Sequence, residues 1–312
     1  MNTQHDKQFI HLPITFHEIV SEIVQHTGLP QAEVENRVWM QALEPGWNVI
    51  QDANRFGVTR CEFDEKMIQL YTEGDGFIFD SLVFWSKPSR RLWIQHALDR
   101  ILRYAESASI PLENLKILMH GDGPGNDSLF LANNGLHVDY YEVSGSKTFN
   151  FAVKRFQDSG FWERNIHPIY DYHECLHGQY DIVLSFEVLE HLPNPLATIQ
   201  DIDSALKVGG LAIITEDFGD LASYLPTHLR SSAKYLGAAP FLFLKNHMIL
   251  SWYSKHPLFK PYEFTKTQKV TARSWMVLAL DYYVRSLYLS RYFNGLSRRI
   301  NKLSHFRLTR HE

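Results

Sequence analysis

Along the first hundred residues apolar positions recur three and four apart, the spacing of one helix face. In "TFHEIVSEIVQHTG" the run starts after Thr15, a capping residue, and ends at Gly28. "PQAEVENRVWMQALEPG" opens with Pro30 at a first-turn position and stops at Pro45-Gly46. "PSRRLWIQHALDRILRYAESA" is the third helical pattern. Between the second and third lies "GDGFIFDSLVFWSKP", apolar and aromatic without a period, and no element is assigned to it. Residues 1–108 therefore read as a mostly helical segment.

Beyond residue 114 the pattern changes to short unbroken apolar runs: "LKILMH", "HVDYYEV", "NIHPIY", "YDIVLSF" and "LAIITED", beginning near 115, 137, 165, 180 and 211. Helical or polar stretches separate them, and Gly135, Gly160 and Gly209 stand where helix ends are expected. Strands alternating with helices at this spacing predict βαβ units and a parallel sheet covered on both faces. "LPTHLRSSAKYLG" reads as a helix after the fifth strand, and "HMILSWYS" with "PYEFTKT" as a closing hairpin. The expected fold is α/β: a Rossmann-like, doubly wound sheet of seven strands over 109–266, with a helical domain or lid over 1–108 and a basic helical tail over 267–312. From Arg285 to Arg310 that tail carries Lys and Arg without an acid, interleaved with Leu, Tyr and Phe. It reads as an amphipathic helix packed on the body, with membrane-surface contact as the alternative.

In such sheets ligands bind at the carboxyl ends of the strands, so the loops after each apolar run are where chemistry belongs. After the first strand, "HGDGPGNDS" places Gly121, Gly123 and Gly125 where the backbone must turn sharply and approach a ligand. The helix that follows offers free N–H groups. The second strand ends at Glu142, a carboxylate placed to accept both hydroxyls of a ribose. Asp171 and Tyr172 follow the third strand and offer an acceptor for an amino group and a ring for stacking.

The series "ILMHGDGPGNDS", "DYYEV", "YDIVLSFEVLEHLPNP" and "LKVGGLAIITE" resembles the class I S-adenosylmethionine-dependent methyltransferases, in particular the small-molecule group with an E-V-L-E-H-type fourth motif. The resemblance covers residues 110–217, about a third of the chain, and its motifs are specific in combination rather than singly. It implies that Gly121, Asp122, Gly123 and Gly125 hold the methionine moiety of S-adenosylmethionine, and that Glu142 holds the ribose. It further implies that Asp171 and Tyr172 contact adenine, and that Ser185, Phe186 and Glu187 lie against the cofactor by their backbone. Two positions depart from the family pattern. Met119 stands where an acid usually precedes the first glycine, and Asn126-Asp127 replaces a third glycine.

Two short sequences invite a metal. "HECLH" has the His173-Glu174-x-x-His177 spacing of zinc proteases, but it occupies a short connection between the third and fourth strands and lacks a third ligand on a following helix. It is set aside as a chance match. Glu187-x-x-Glu190-His191 sits at the ligand edge, and on a helical turn these side chains share a face. In small-RNA 2′-O-methyltransferases a similar set binds a divalent metal together with a further His, a position that His228 can fill here. Such a site suits Mg, Mn or Fe. If the methyl acceptor carries a proton, His191 and His228 are the candidate bases.

Composition narrows the class. A net charge of −4 argues against a dedicated nucleic-acid binder. The two cysteines, Cys61 and Cys175, offer no disulfide framework and favour a reducing compartment. No secretory leader is recognisable at the N-terminus and no apolar run is long enough to span a bilayer, so a cytoplasmic location is expected. Phe77, Phe79, Phe84, Trp85, Tyr224 and Trp252 are candidate walls for a small, partly apolar substrate. Methyl transfer is the reading the motifs favour. The alternatives are another S-adenosylmethionine reaction such as cofactor cyclisation, a non-catalytic cofactor-binding subunit, and a nicotinamide dehydrogenase, which leaves the fourth motif unexplained.

Overall fold

The computed structural model describes residues 12–253 and 261–270. Six helices come first: α1 (Phe16–Thr27), α2 (Gln31–Leu43), α3 (Trp47–Phe56), α4 (Glu65–Glu73), α5 (Gly76–Ser86) and α6 (Pro88–Ala108). The Thr15 hydroxyl accepts from the Glu18 N–H while the Glu18 side chain accepts from the Thr15 N–H, a reciprocal cap that fixes where α1 begins. The unassigned aromatic stretch is α5. It shows no period because it is buried on several sides at once: Ile78, Phe79, Leu82 and Val83 pack with α1 and α2, while Trp85 joins the core under the sheet.

The sheet follows, with β1 (Ile117–His120), α7 (Asn126–Asn133), β2 (Val138–Tyr141), α8 (Lys147–Asp158), β3 (Ile166–Ile169), β4 (Tyr180–Phe186), α9 (Pro195–Ala205), β5 (Leu206–Thr215), α10 (Ala239–Lys245), β6 (Met248–Tyr253) and β7 (Tyr262–Lys266). Its order is β3-β2-β1-β4-β5-β7-β6. The first five strands pair in parallel, and β7 enters antiparallel between β5 and β6 as the expected hairpin. Side chains alternate between two cores. Ile117, Met119, Ile182, Leu184, Leu211 and Ile213 face α6, α7 and α8, whereas Leu118, Val183, Ala212 and Ile214 face α9 and α10. Strand order reverses between β1 and β4, which leaves a crevice above their carboxyl ends.

Two local expectations are corrected. Gly209 lies inside β5 rather than at a helix end, because α9 stops at Ala205 and Leu206 already pairs with Tyr180 of β4. "LPTHLRSSAKYLG" forms turns and one short 3-10 turn, Ala233–Tyr235, instead of a helix. Its backbone is committed elsewhere: Pro226 O accepts from Cys61 N, Leu229 N donates to Glu190 O, and Arg230 N donates to Cys61 O. "HECLH" begins in a 3-10 turn, Tyr172–Cys175, with His173, Glu174 and His177 all exposed. The basic tail beyond residue 270 lies outside the described residues.

The helical layer is fastened to the sheet by two buried carboxylates. Asp127, in the first turn of α7, accepts from both guanidinium nitrogens of Arg90 at 3.3 and 2.5 Å and from the Trp85 indole N–H at 2.8 Å. The two ion-paired side chains are 8% and 2% exposed. Glu263 on β7 is wholly buried and receives His96 and Arg100 of α6, each at 2.7 Å. Removing one member of a buried pair strands the other charge. Asp127→Ala is therefore expected to destabilise the protein by about 3–5 kcal/mol in urea unfolding, and the double replacement Arg90→Met/Asp127→Leu to recover most of that loss.

Candidate active site

The crevice opens into a cavity of about 1460 Å³ that reaches from the ends of β1, β2 and β4 to the underside of α2, α3, α4 and α5. The glycine turn forms its floor. Gly121 (φ 76°) donates its N–H to Tyr141 O at 2.8 Å, and a Cβ there would stand 2.6 Å from Val188. Gly125 (φ 82°) would drive a Cβ to 2.4 Å from the Phe156 ring. Only glycine meets both the left-handed backbone and the close packing. Gly123 (φ 57°) is different: its open side faces Ser81 Oγ, 3.5 Å from where a Cβ would be.

Asp122 spends its carboxylate on the start of α7, accepting from Asp127 N at 3.1 Å and Ser128 N at 2.7 Å. Burial and the neighbouring Asp127 charge push its pKa well above the usual carboxylate range. Glu142 accepts from Gly123 N at 2.8 Å with one oxygen and from Val143 N at 2.9 Å with the other. Each oxygen keeps a lone pair for a further donor. Burial raises the pKa of this carboxyl while the two N–H donors hold it down.

Of the residues singled out in the sequence, Gly121, Asp122, Gly123, Glu142, Tyr172, Phe186, Glu187, His191 and His228 line the cavity. Gly125, Asp171, Ser185 and Glu190 stand behind or beside it. Asp171 is exposed and caps the 3-10 turn through the His173 N–H at 2.9 Å. Ser185 is buried behind His120. Among the candidate aromatics Phe77, Phe84, Trp85 and Tyr224 reach the wall, but Phe79 packs in the α1–α2–α5 core and Trp252 stacks on His96. Glu187 adopts φ 56° directly after β4, with its N–H held by the Thr215 hydroxyl at 2.9 Å. A non-glycine residue in that region stores backbone strain, a feature concentrated at ligand sites.

Glu190, His191 and His228 converge, each offering a donor atom within 4.8 Å of the others. Glu187 is not part of that group, because the chain leaves its left-handed conformation before the 3-10 turn Leu189–His191 and no helical face joins Glu187 to Glu190. The turn is laced to the segment after β5: Glu190 O accepts from Leu229 N and the Ser232 hydroxyl, and His191 Nδ1 lies 3.2 Å from Thr227 O. That contact selects the tautomer with the proton on Nδ1 and the lone pair on Nε2. The His191 and His228 rings meet edge to face at 4.7 Å, and burial lowers the His191 pKa to about 4.

His120, at the last position of β1, was not singled out in the sequence. It lies on the cavity wall beside Tyr141 and Tyr172, at ring separations of 5.6 and 5.9 Å, with Nδ1 3.2 Å from Ser185 Oγ. Its place between an apolar run and Gly121 was the available signal. Burial pushes its pKa down to about 4, so the folded protein holds the ring neutral where the unfolded chain titrates near 6.5. The unfolded state then binds more protons at low pH. This contribution is fully present above about pH 6.5 and is lost as pH falls toward 4, by up to about 1.4 kcal/mol per pH unit. Urea melts across that window should show a shallower acid limb in His120→Asn than in the parent protein.

Residues 90–260 match the family model described as a methyltransferase domain. The chain is 29% identical over 154 residues to the ubiquinone biosynthesis O-methyltransferase of Shewanella pealeana, covering 49% of this chain and 64% of that protein. It is 28% identical over 153 residues to the enzyme of the same name from Colwellia psychrerythraea, covering 46% and 61%. The chain thus spans less than two thirds of the length of these curated relatives. Among solved structures, the DszA carbon methyltransferase aligns with 77% of this chain and 71% of its own, at 14% identity and a TM-score of 0.48. The family match covers more than half of the 312 residues, and the chain belongs to the methyltransferase-domain family, the class I S-adenosylmethionine-dependent methyltransferases.

Proposed function

We propose that this protein transfers the methyl group of S-adenosylmethionine to an oxygen, nitrogen or carbon atom of a small molecule with an apolar body. The observation that carries the reading is the convergence, on one cavity, of a glycine-only turn and a strand-end carboxylate whose oxygens each retain a free lone pair. The residues present fit the cofactor. Glu142 takes the ribose hydroxyls, Gly121 and Gly123 allow the methionine moiety to approach the backbone, and Tyr172 offers its ring to the adenine, with Asp171 beside it. Phe186 and Glu187 continue the same wall, with Ser185 supporting it from behind.

The cofactor supplies an electrophilic methyl group on a sulfonium. The protein's part is alignment of donor and acceptor, which by itself accounts for several kcal/mol of barrier, on the order of 7–11 at best. Tyr71, Phe77, Phe84, Trp93 and Tyr224 line the remaining space and suit an aromatic or aliphatic acceptor. The O-methyltransferase relatives favour a hydroxyl acceptor. In that case His191, whose Nδ1 faces Thr227 O and whose Nε2 lone pair is thereby left available, is the candidate acceptor of the proton, and His228 packs against its ring.

A metal-assisted version has its own support, since one carboxylate and two imidazoles of Glu190, His191 and His228 form a donor set suited to a divalent transition metal. An ion there would polarise the acceptor oxygen. Both cysteines are free and buried, which agrees with a reducing compartment such as the cytoplasm.

Calorimetric titration with S-adenosylhomocysteine, with and without Mg or Mn after chelation, tests these assignments. Binding in the micromolar range by the wild type, weakened about tenfold or more in Glu142→Ala, is the expected result. A folded wild-type chain that binds no S-adenosylhomocysteine would sink the reading. S-adenosylhomocysteine as product marks transfer, while methylthioadenosine marks cyclisation.

A further inference from the structure

The cavity is rich in acids and poor in cations. Asp80, Asp122, Glu142, Glu187 and Asp217 all line it, whereas the only Lys or Arg among the described lining residues are Lys87 and Arg90. Arg90 is committed to Asp127 through both guanidinium nitrogens. An anionic group entering this space therefore has Lys87 as its available counter-charge.

Lys87 is aimed inward. It caps the end of α5, and Asp80, Ser81, Phe84 and Lys87 follow one another at helical spacings along the α5 face that lines the cavity. The Lys87 ammonium lies 5.5 Å from the centre of the Phe84 ring, so the side chain runs back along the helix toward Asp80. Asp80 is held from the other side by the Gln41 amide. Ser81, one residue after Asp80, faces the open side of Gly123 at 3.5 Å from its Cβ position. Trp85 and Arg90, on either side of Lys87 in sequence, both grip Asp127 just after the glycine turn. The stripe thus stands directly across from the glycine turn.

We propose that Lys87 binds the α-carboxylate of the cofactor's methionine moiety, an assignment that rests on the cofactor reading above. The methionine end is the part of the ligand that carries a carboxylate, and the glycine turn is the part of the floor that accommodates it. Burial lowers the Lys87 pKa and raises that of Asp80, while each charge partly offsets the other. An incoming carboxylate supplies the ammonium with a stronger partner through charge-assisted hydrogen bonds. The helical layer would then contribute a cofactor ligand from outside the residues that resemble the family.

The test compares two ligands on the full chain: S-adenosylhomocysteine, and 5′-methylthioadenosine, which keeps the adenosine thioether and lacks the amino-acid head. Lys87→Met, which preserves the aliphatic stem, is expected to weaken S-adenosylhomocysteine about tenfold to a hundredfold while changing methylthioadenosine by less than about twofold. Lys87→Arg should retain most of the S-adenosylhomocysteine affinity. Unchanged S-adenosylhomocysteine binding by Lys87→Met, or equal loss of both ligands, overturns the assignment and leaves the cofactor reading intact, provided the wild type binds both. A wild type that binds neither ligand removes the cofactor reading, and this assignment with it.

Discussion

The bidentate contact between Arg90 and Asp127, closed by the Trp85 indole, ties the α5–α6 side of the cavity to the glycine turn. One partner sits at the start of α6, the other in the first turn after the glycine loop, and both are shielded from water. A buried pair of this kind contributes little net stability against an apolar alternative, but its donors fix direction and register in a way that apolar contacts do not. The Asp127 carboxylate thereby locks the helical roof onto the glycine turn. The cost is a crowded pair of acids, with Asp122 pushed toward neutrality beside Asp127.

The opposite wall is built by backbone exchange rather than by charge. The stretch from Pro226 to Ser232 gives its hydrogen-bonding groups to Cys61 on one side and to Glu190 on the other. It forgoes a helix in doing so, and it carries His228 to His191. Burial then keeps the His191 imidazole unprotonated at neutral pH, while Thr227 O holds its Nδ1 and leaves the Nε2 lone pair available. The glycine turn with its helical roof, and the histidine wall opposite, are thereby positioned by two different physical means around one space.

Much of this was legible along the chain. Unbroken apolar runs located the strands, and period-3.6 patterns the first, second and sixth helices, because the central strands are buried on both faces and these helices on one. The glycine turn and Glu142 were legible because backbone conformation and strand-end position restrict the residue types there. α5 was not: a helix buried on several sides loses the polar face that gives the period. "LPTHLRSSAKYLG" was misread because local propensity says nothing about backbone partners more than a hundred residues away.

The sequence by itself determined the α/β alternation, the glycine turn, the acid ending β2 and the family to which they point, since each follows from local spacing and residue type. Only the tertiary structure decided that Glu187 stands apart from Glu190, His191 and His228, that His120 faces the cavity, and that Lys87 lies across from the glycine turn. Those juxtapositions arise where α5, the end of β1 and the segment after β5 meet, and chain-local chemistry carries no record of which distant segments will share a surface.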